Sequence, residues 1–235
     1  MTRKKWRLAL LAVLIVIAVP AGYVAINVGV ASWQAERTPE YWHARAAEPV
    51  QPGALRLVAL GDSATEAIGA ARPQDGFVGR IADYVQSKTG RPVHVTNVSQ
   101  GGATAGDVVH GQLSLVDPRD ADLVIVETSN DMEKRIPIAD YRANLTTLLN
   151  ALPPARTVVS DQPLEPGRPP YQQVLQEVAD QHGIRRADFA KVFTEQVRQQ
   201  DIFSWLPPHL NSTGYRYWFM AFQPCVDEVL AAQRK

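Results

Sequence analysis

The stretch LRLVALGDSATEAIGA, residues 55–70, decides the fold. Leu55–Leu60 is a short apolar run of strand length, and Gly61-Asp62-Ser63 breaks it abruptly. A continuous apolar run that ends in a small polar cluster reads as a strand buried on both faces, the habit of parallel sheets. Outward from it the same grammar recurs. Further strand-like runs are Val93–Val98, Leu123–Thr128 and Thr157–Ser160, with a weaker one near Ile184–Phe189. Between them, apolar residues return at helical spacing: Phe77, Ile81, Tyr84 and Val85, then Tyr141, Leu145, Leu148, Leu149 and Leu152, then Tyr171, Val174, Leu175 and Val178. A last helix follows Asn211, with Tyr215, Phe219 and Phe222 on one face and Pro224 as a kink. Five strands alternating with helices predict an α/β domain over residues 54–235. Its architecture is a three-layer α/β/α sandwich around a five-stranded parallel sheet.

The segment before this domain differs in composition. Arg3, Lys4, Lys5 and Arg7 make residues 1–7 a basic tip, and the 24 residues Leu8–Ala31 carry no charge. A bilayer core needs about 20 apolar residues as helix, whereas the apolar region of a signal peptide is usually about 7–15. The length predicts one N-terminal transmembrane helix over 8–31. The basic tip predicts a cytoplasmic N-terminus and a domain outside the membrane. Cleavage after Gly29-Val30-Ala31 would secrete the domain instead. Residues 32–53 contain three prolines and read as a tether, partly helical around Glu40–Ala47, with His43 on the solvated surface.

Composition narrows the function classes. The 235 residues hold 24 Lys+Arg and 24 Asp+Glu, but beyond residue 35 the balance is 20 to 24. A mildly acidic domain lacks the basic excess that nucleic acid requires. One cysteine, Cys225, excludes an internal disulfide framework and a CxxC metal knuckle. There is no HExxH, no clustered ligand spacing, and no phosphate-binding or dinucleotide glycine pattern. No metal or cofactor is expected.

In open parallel sheets, ligands bind beyond the carboxyl ends of the strands, near the switch in strand order. The residues at and after the strand ends are Gly61–Glu66, Asn97–Thr104 and Thr128–Asp131, and near the C-terminus comes His209–Tyr215. Ser63, on a tight strand-to-helix turn, is placed as a nucleophile. A serine hydroxyl is weak unless a base stands within hydrogen-bond reach, and His209 is the candidate. Acyl transfer also needs donors where the oxyanion forms. The Ser63 and Gly102 backbone N–H groups and the Asn130 amide can supply three. Asn97, Asp62 and Asp131 read as structural braces.

These four residues, in the order Ser…Gly…Asn…His, resemble the marks of the SGNH/GDSL hydrolase family. GDSATEAIGA resembles its GDSxTxG opening, NVSQGGAT its second block, Asn130-Asp131 its third, and HLNSTGY its HPNxxGY ending. The resemblance covers roughly residues 54–232. It implies a flavodoxin-like sandwich and a cofactor-free serine esterase, with a Ser63 acyl-enzyme and His209 as base. Gly102, Asn130 and Ser63 would line the oxyanion hole. The implied substrates are carboxylic esters of lipids, acetylated glycans or small acyl groups. The alternatives are an O-acyltransferase or deacetylase acting on cell-envelope glycans, or a binding domain without catalysis.

Two departures stand out. The family usually has Asp three residues before the histidine, where this chain has Leu206. In well-studied triads, loss of the acid costs about 10⁴-fold in rate. A main-chain carbonyl such as that of Leu206 could orient His209, with Pro207 holding Leu206 extended. Asp161, just after the fourth strand, and Asp201 are the other candidates. The second departure is Thr128 at a position usually held by Gly, which narrows the space beside Asn130.

Overall fold

The computed structural model describes residues 3–161, 169–196, 202–204 and 209–233. The side chains of residues 3–13, 15, 17, 27, 28, 30–32, 35 and 169 lie outside that description. The elements run α1 (Arg3–Ala46), β1 (Leu55–Leu60), α2 (Ser63–Glu66), α3 (Phe77–Thr89), β2 (Val93–Asn97), α4 (Ala105–His110) and β3 (Leu123–Val126). They continue with α5 (Asn130–Glu133), α6 (Ile138–Asn150), β4 (Thr157–Ser160), α7 (Pro169–Gln181), β5 (Arg185–Ala187), α8 (Phe189–Gln196) and α9 (Ser212–Ala232).

The strands form one parallel five-stranded sheet in the order β2-β1-β3-β4-β5. The fold is thus the sandwich that the sequence predicts. Alternation along β1 divides the core: Leu57 and Ala59 face α3, α8 and α9, whereas Val58 and Leu60 face α4, α6 and α7. The first layer is aromatic, with Phe77 stacked on Phe222 at 5.1 Å and Phe189 on Trp218 at 4.5 Å between ring centroids. The second is aliphatic, built on Leu145, Leu148, Leu149, Val174 and Val178. Strand order changes direction between β1 and β3, so Ser63 and Asn130 follow the two strands that flank the switch.

The N-terminal segment departs from the expected tether. α1 is a single helix of 44 residues that includes Pro20 and Pro39 and runs through the stretch expected to be a linker. Gln34, Thr38 and Trp42, four residues apart, are buried against the domain at 8%, 4% and 2% exposure. The prolines and charges hide this periodicity, because only one of the three buried residues is apolar. His43 is exposed, as expected. Among the residues whose side chains are described, which leave out half of 8–31, no helix is long and apolar enough to cross a membrane.

Phe77 is fully buried and contacts the rings of Tyr215, Trp218 and Phe222. Phe77→Ala is therefore expected to lower the unfolding free energy by about 3–5 kcal/mol in urea titrations followed by tryptophan fluorescence.

Candidate active site

The turn after β1 is fixed from several sides. The Gln112 side chain accepts from Gly61 N–H at 2.8 Å and donates to its carbonyl at 2.7 Å. Asp62, fully buried, caps α2 by accepting the Ala64 N–H at 2.8 Å. Ser63 is the first residue of α2, so its N–H has no intrahelical acceptor. It is half-buried.

His209 comes from a loop 146 residues further along, and its Nε2 stands 3.0 Å from Ser63 Oγ. Phe203 pairs with Leu210 in an antiparallel bridge across this loop. The Ser204 N–H donates to the His209 carbonyl at 2.8 Å, and the Asn211 N–H to the Ile202 carbonyl at 2.8 Å. The Asn211 side chain caps α9, accepting from the Thr213 and Gly214 amides at 2.9 and 3.0 Å. The buried Tyr215 hydroxyl donates to the Ile68 carbonyl at 2.7 Å. HLNSTGY thus supplies the base, a helix cap and an anchor to the loop after Ser63.

The expected oxyanion donors converge on the same end of the sheet. Gly102 has φ +78°, a left-handed conformation that disfavours a side chain, within a turn closed by Ala103 N–H to Gln100 carbonyl at 2.9 Å. The Gln100 N–H ties that turn to the Gly61 carbonyl at 3.0 Å. Asn130 Nδ2 donates to Asp62 Oδ2 at 2.6 Å, and Ser129 Oγ donates to the same oxygen at 2.6 Å. An amide has two hydrogens, so Asn130 keeps one for a ligand. Asp131 braces the second block by accepting the Ala105 N–H at 2.6 Å, and Asn97 bridges loops by donating to the Thr65 carbonyl at 2.9 Å. Thr128 is buried and hydrogen-bonded to the Tyr141 hydroxyl, so its side chain is engaged with α6.

Buried carboxyls crowd this end of the sheet. Burial pushes Glu66 up to about 7, against a hydrogen bond from the Gly101 N–H that favours the ionised form. Burial likewise raises Asp131 to about 6. Glu127 is held well above the usual carboxylate range, first by complete burial, then by the Asp62 charge and by its hydrogen bond with Asp62. Among the described residues, no group of three or more His, Cys, Asp and Glu side chains is placed to hold a metal ion.

Asp161 is not the missing acid. Its Oδ1 accepts the Phe189 and Ala190 amides at 2.6 and 3.0 Å, which caps α8. Its Oδ2 takes Arg186 Nη1 at 2.7 Å and Gln172 Nε2 at 3.3 Å. None of these bonds reaches His209. Both oxygens are thus used on the start of α8, the helix that follows the neighbouring strand β5, and on Arg186 and Gln172. Leu206 and Asp201 lie outside the described residues. Sequence patterns alone do not reveal Gln34, Trp42, Glu66, Gln112 and Glu127, whose polar side chains bond backbone or carboxyl groups far away in the chain.

Known proteins resemble the chain in family and in fold. The model of the GDSL-like lipase/acylhydrolase family matches residues 59–217. No curated protein matches the chain by sequence. A lipase/acylhydrolase from Enterococcus faecalis superposes with TM-score 0.61 at 22% identity, over 74% of this chain and 95% of that one. An acetylxylan esterase from Geobacillus stearothermophilus gives 0.59 at 18%, over 75% and 96%. The LAE5 hydrolase from the Lake Arreo metagenome gives 0.62 at 19%, over 75% and 97%. At these identities the structural likeness is one of fold.

Two outcomes follow from this geometry. A β-carbon on Gly214 would stand 2.7 Å from the Ile202 carbonyl oxygen and 2.8 Å from Leu210 Cβ, both part of the His209 loop. Gly214→Ala is expected to slow labelling of Ser63 by a fluorophosphonate roughly 10- to 100-fold, since displacements near 1 Å have that effect. Glu66, raised from 4.5 to about 7, favours folding only while protonated, a contribution lost as the pH rises through about 7. Between about pH 5 and pH 8, the wild type should therefore lose more unfolding free energy than Glu66→Gln in parallel urea titrations.

Proposed function

The chain belongs to the GDSL-like lipase/acylhydrolase family and is a serine hydrolase acting on esters, and from that premise we propose that Ser63 is its nucleophile and His209 its general base. The observation that carries this reading is the 3.0 Å approach of His209 Nε2 to Ser63 Oγ. As Oγ bonds to the ester carbonyl carbon, its proton passes to Nε2. The carbonyl oxygen becomes an oxyanion held by the Ser63 and Gly102 N–H groups and the free hydrogen of the Asn130 amide. The intermediate collapses, the C–O bond to the leaving group breaks, and His209 returns the proton to the departing alkoxide. Water, deprotonated by His209, then attacks the acyl carbon; the bond to Ser63 Oγ breaks, His209 returns the proton to Oγ, and the acid leaves. Every proton and bond is accounted for without a cofactor.

The tautomer of His209 is set by the group that its Nδ1 meets. With Asp161 committed to α8 and Arg186, the Leu206 carbonyl is the group we assign. The substrate is a carboxylic ester. We place the domain outside a membrane that residues 8–31 span, with the N-terminus in the cytoplasm. The charge-free stretch, the basic tip and the exposed Leu14, Val16, Val19 and Ile26 of α1 support that placement. In that location, acetylated envelope glycans are the favoured esters. A glycan hydroxyl in place of water gives the second reading, an O-acyltransferase.

Short-chain p-nitrophenyl esters test the proposal. Ser63→Ala and His209→Ala should each lower kcat by at least about 10³-fold. Asp161→Asn should retain most of the turnover of its folded fraction, and its loss there would restore Asp161 to the triad. Equal turnover in wild type and Ser63→Ala would sink the nucleophile assignment.

A further inference from the structure

We propose that the C-terminal part of α1 belongs to the catalytic scaffold, with Gln34 and Trp42 acting as positioning residues for His209 and Ser63. The proposal rests on the reading of those two residues as base and nucleophile.

Gln34 uses both ends of its amide on the loop after the nucleophile. Its Oε1 accepts the Gly69 N–H at 3.0 Å, and its Nε2 donates to the Ala70 carbonyl at 3.0 Å. Paired bonds to consecutive backbone units fix position and orientation together. Trp42, two turns on and on the same face, donates its indole N–H to the Glu66 carbonyl at 2.9 Å. All three contacts are buried.

The clamped loop touches both partners of the reaction. Gly69, at φ +92°, runs against the His209 loop: a β-carbon there would lie 2.8 Å from Ser204 Oγ and 3.0 Å from His209 Cβ. One residue therefore separates Gln34 from the carbon that carries the imidazole. On the other side, the Ile68 N–H donates to the Ser63 carbonyl at 2.9 Å. Ala67 lies between the two clamps with φ +74°, a left-handed conformation costly for alanine. Strain of this kind persists only where the surroundings over-determine the backbone. The Trp42 and Gln34 bonds at residues 66, 69 and 70 bracket it and supply that determination. Apolar side chains at positions 34 and 42 would bury equal surface but leave the loop free to slide. Through this clamp, the helix that leads from the N-terminal apolar segment is mechanically continuous with the site.

The test uses the full-length chain in detergent, with active sites counted by fluorophosphonate titration. Gln34→Ala and Trp42→Phe are compared with wild type, the second removing the N–H donor while keeping a smaller aromatic ring in place. Each should lower kcat per titrated site by roughly tenfold or more, with KM for a short p-nitrophenyl ester changed much less. A fall in melting temperature with unchanged kcat per titrated site, in an active wild-type background, would overturn the clamp and leave the hydrolase reading intact. A wild type inert toward both ester and fluorophosphonate would overturn the site assignment and the clamp with it. If Gln34→Ala does not fold, Trp42→Phe decides by the same split.

Discussion

A fully buried carboxyl on Asp62 accepts hydrogen bonds from the Ala64 N–H, the Ser129 hydroxyl and the Asn130 amide, and the remainder of the site is arranged around that junction. The three bonds join the turns that follow β1 and β3, the two strands at the switch in sheet order. Burying an acid is costly unless its oxygens are satisfied. Here satisfying them forces Ser63 and Asn130 into a fixed relation. Glu127 adds a hydrogen-bonding partner to Asp62, its carboxyl held above the usual range first by burial and then by the Asp62 charge.

The sheet supplies this junction with its neighbours. β1 is an interior strand, apolar toward its C-terminal end, and Gln112 holds both backbone groups of the Gly61 that follows it. β2 delivers the Gly102 turn beside it. The base arrives from the far end of the chain, through a loop pinned by Asn211 and by the bridge between Phe203 and Leu210. Rigidity of this kind is what acyl transfer asks of a protein, since donors that need not reorganise stabilise charge best.

Much of this was legible in the sequence, for identifiable reasons. Apolar runs ending at Gly61, at Ser99 and near Ser129 reveal strands because burial on both faces leaves little choice of residue. Ser63, Gly102, Asn130 and His209 sit in short local patterns with distinctive neighbours, and the structure gathers all four at one end of the sheet. The docking of α1 was not legible. Gln34, Thr38 and Trp42 share a face, but two of them are polar, and a buried glutamine signals itself only through the loop backbone it binds. Asp161 misled in the opposite direction. Its place after β4 suits a catalytic acid, and only the positions of α8 and Arg186 reveal a helix cap. The burial of Glu127 and Glu66 is not legible either, because sequence does not record desolvation.

The most direct measurement of the central claim is rapid-quench peptide mass spectrometry during turnover of a slowly deacylated ester. The account predicts an acyl group on the peptide that carries Ser63, accumulating before steady state and absent from His209→Ala. Turnover with the acyl group on another residue, or with no covalent intermediate on Ser63 at any quench time, would contradict it.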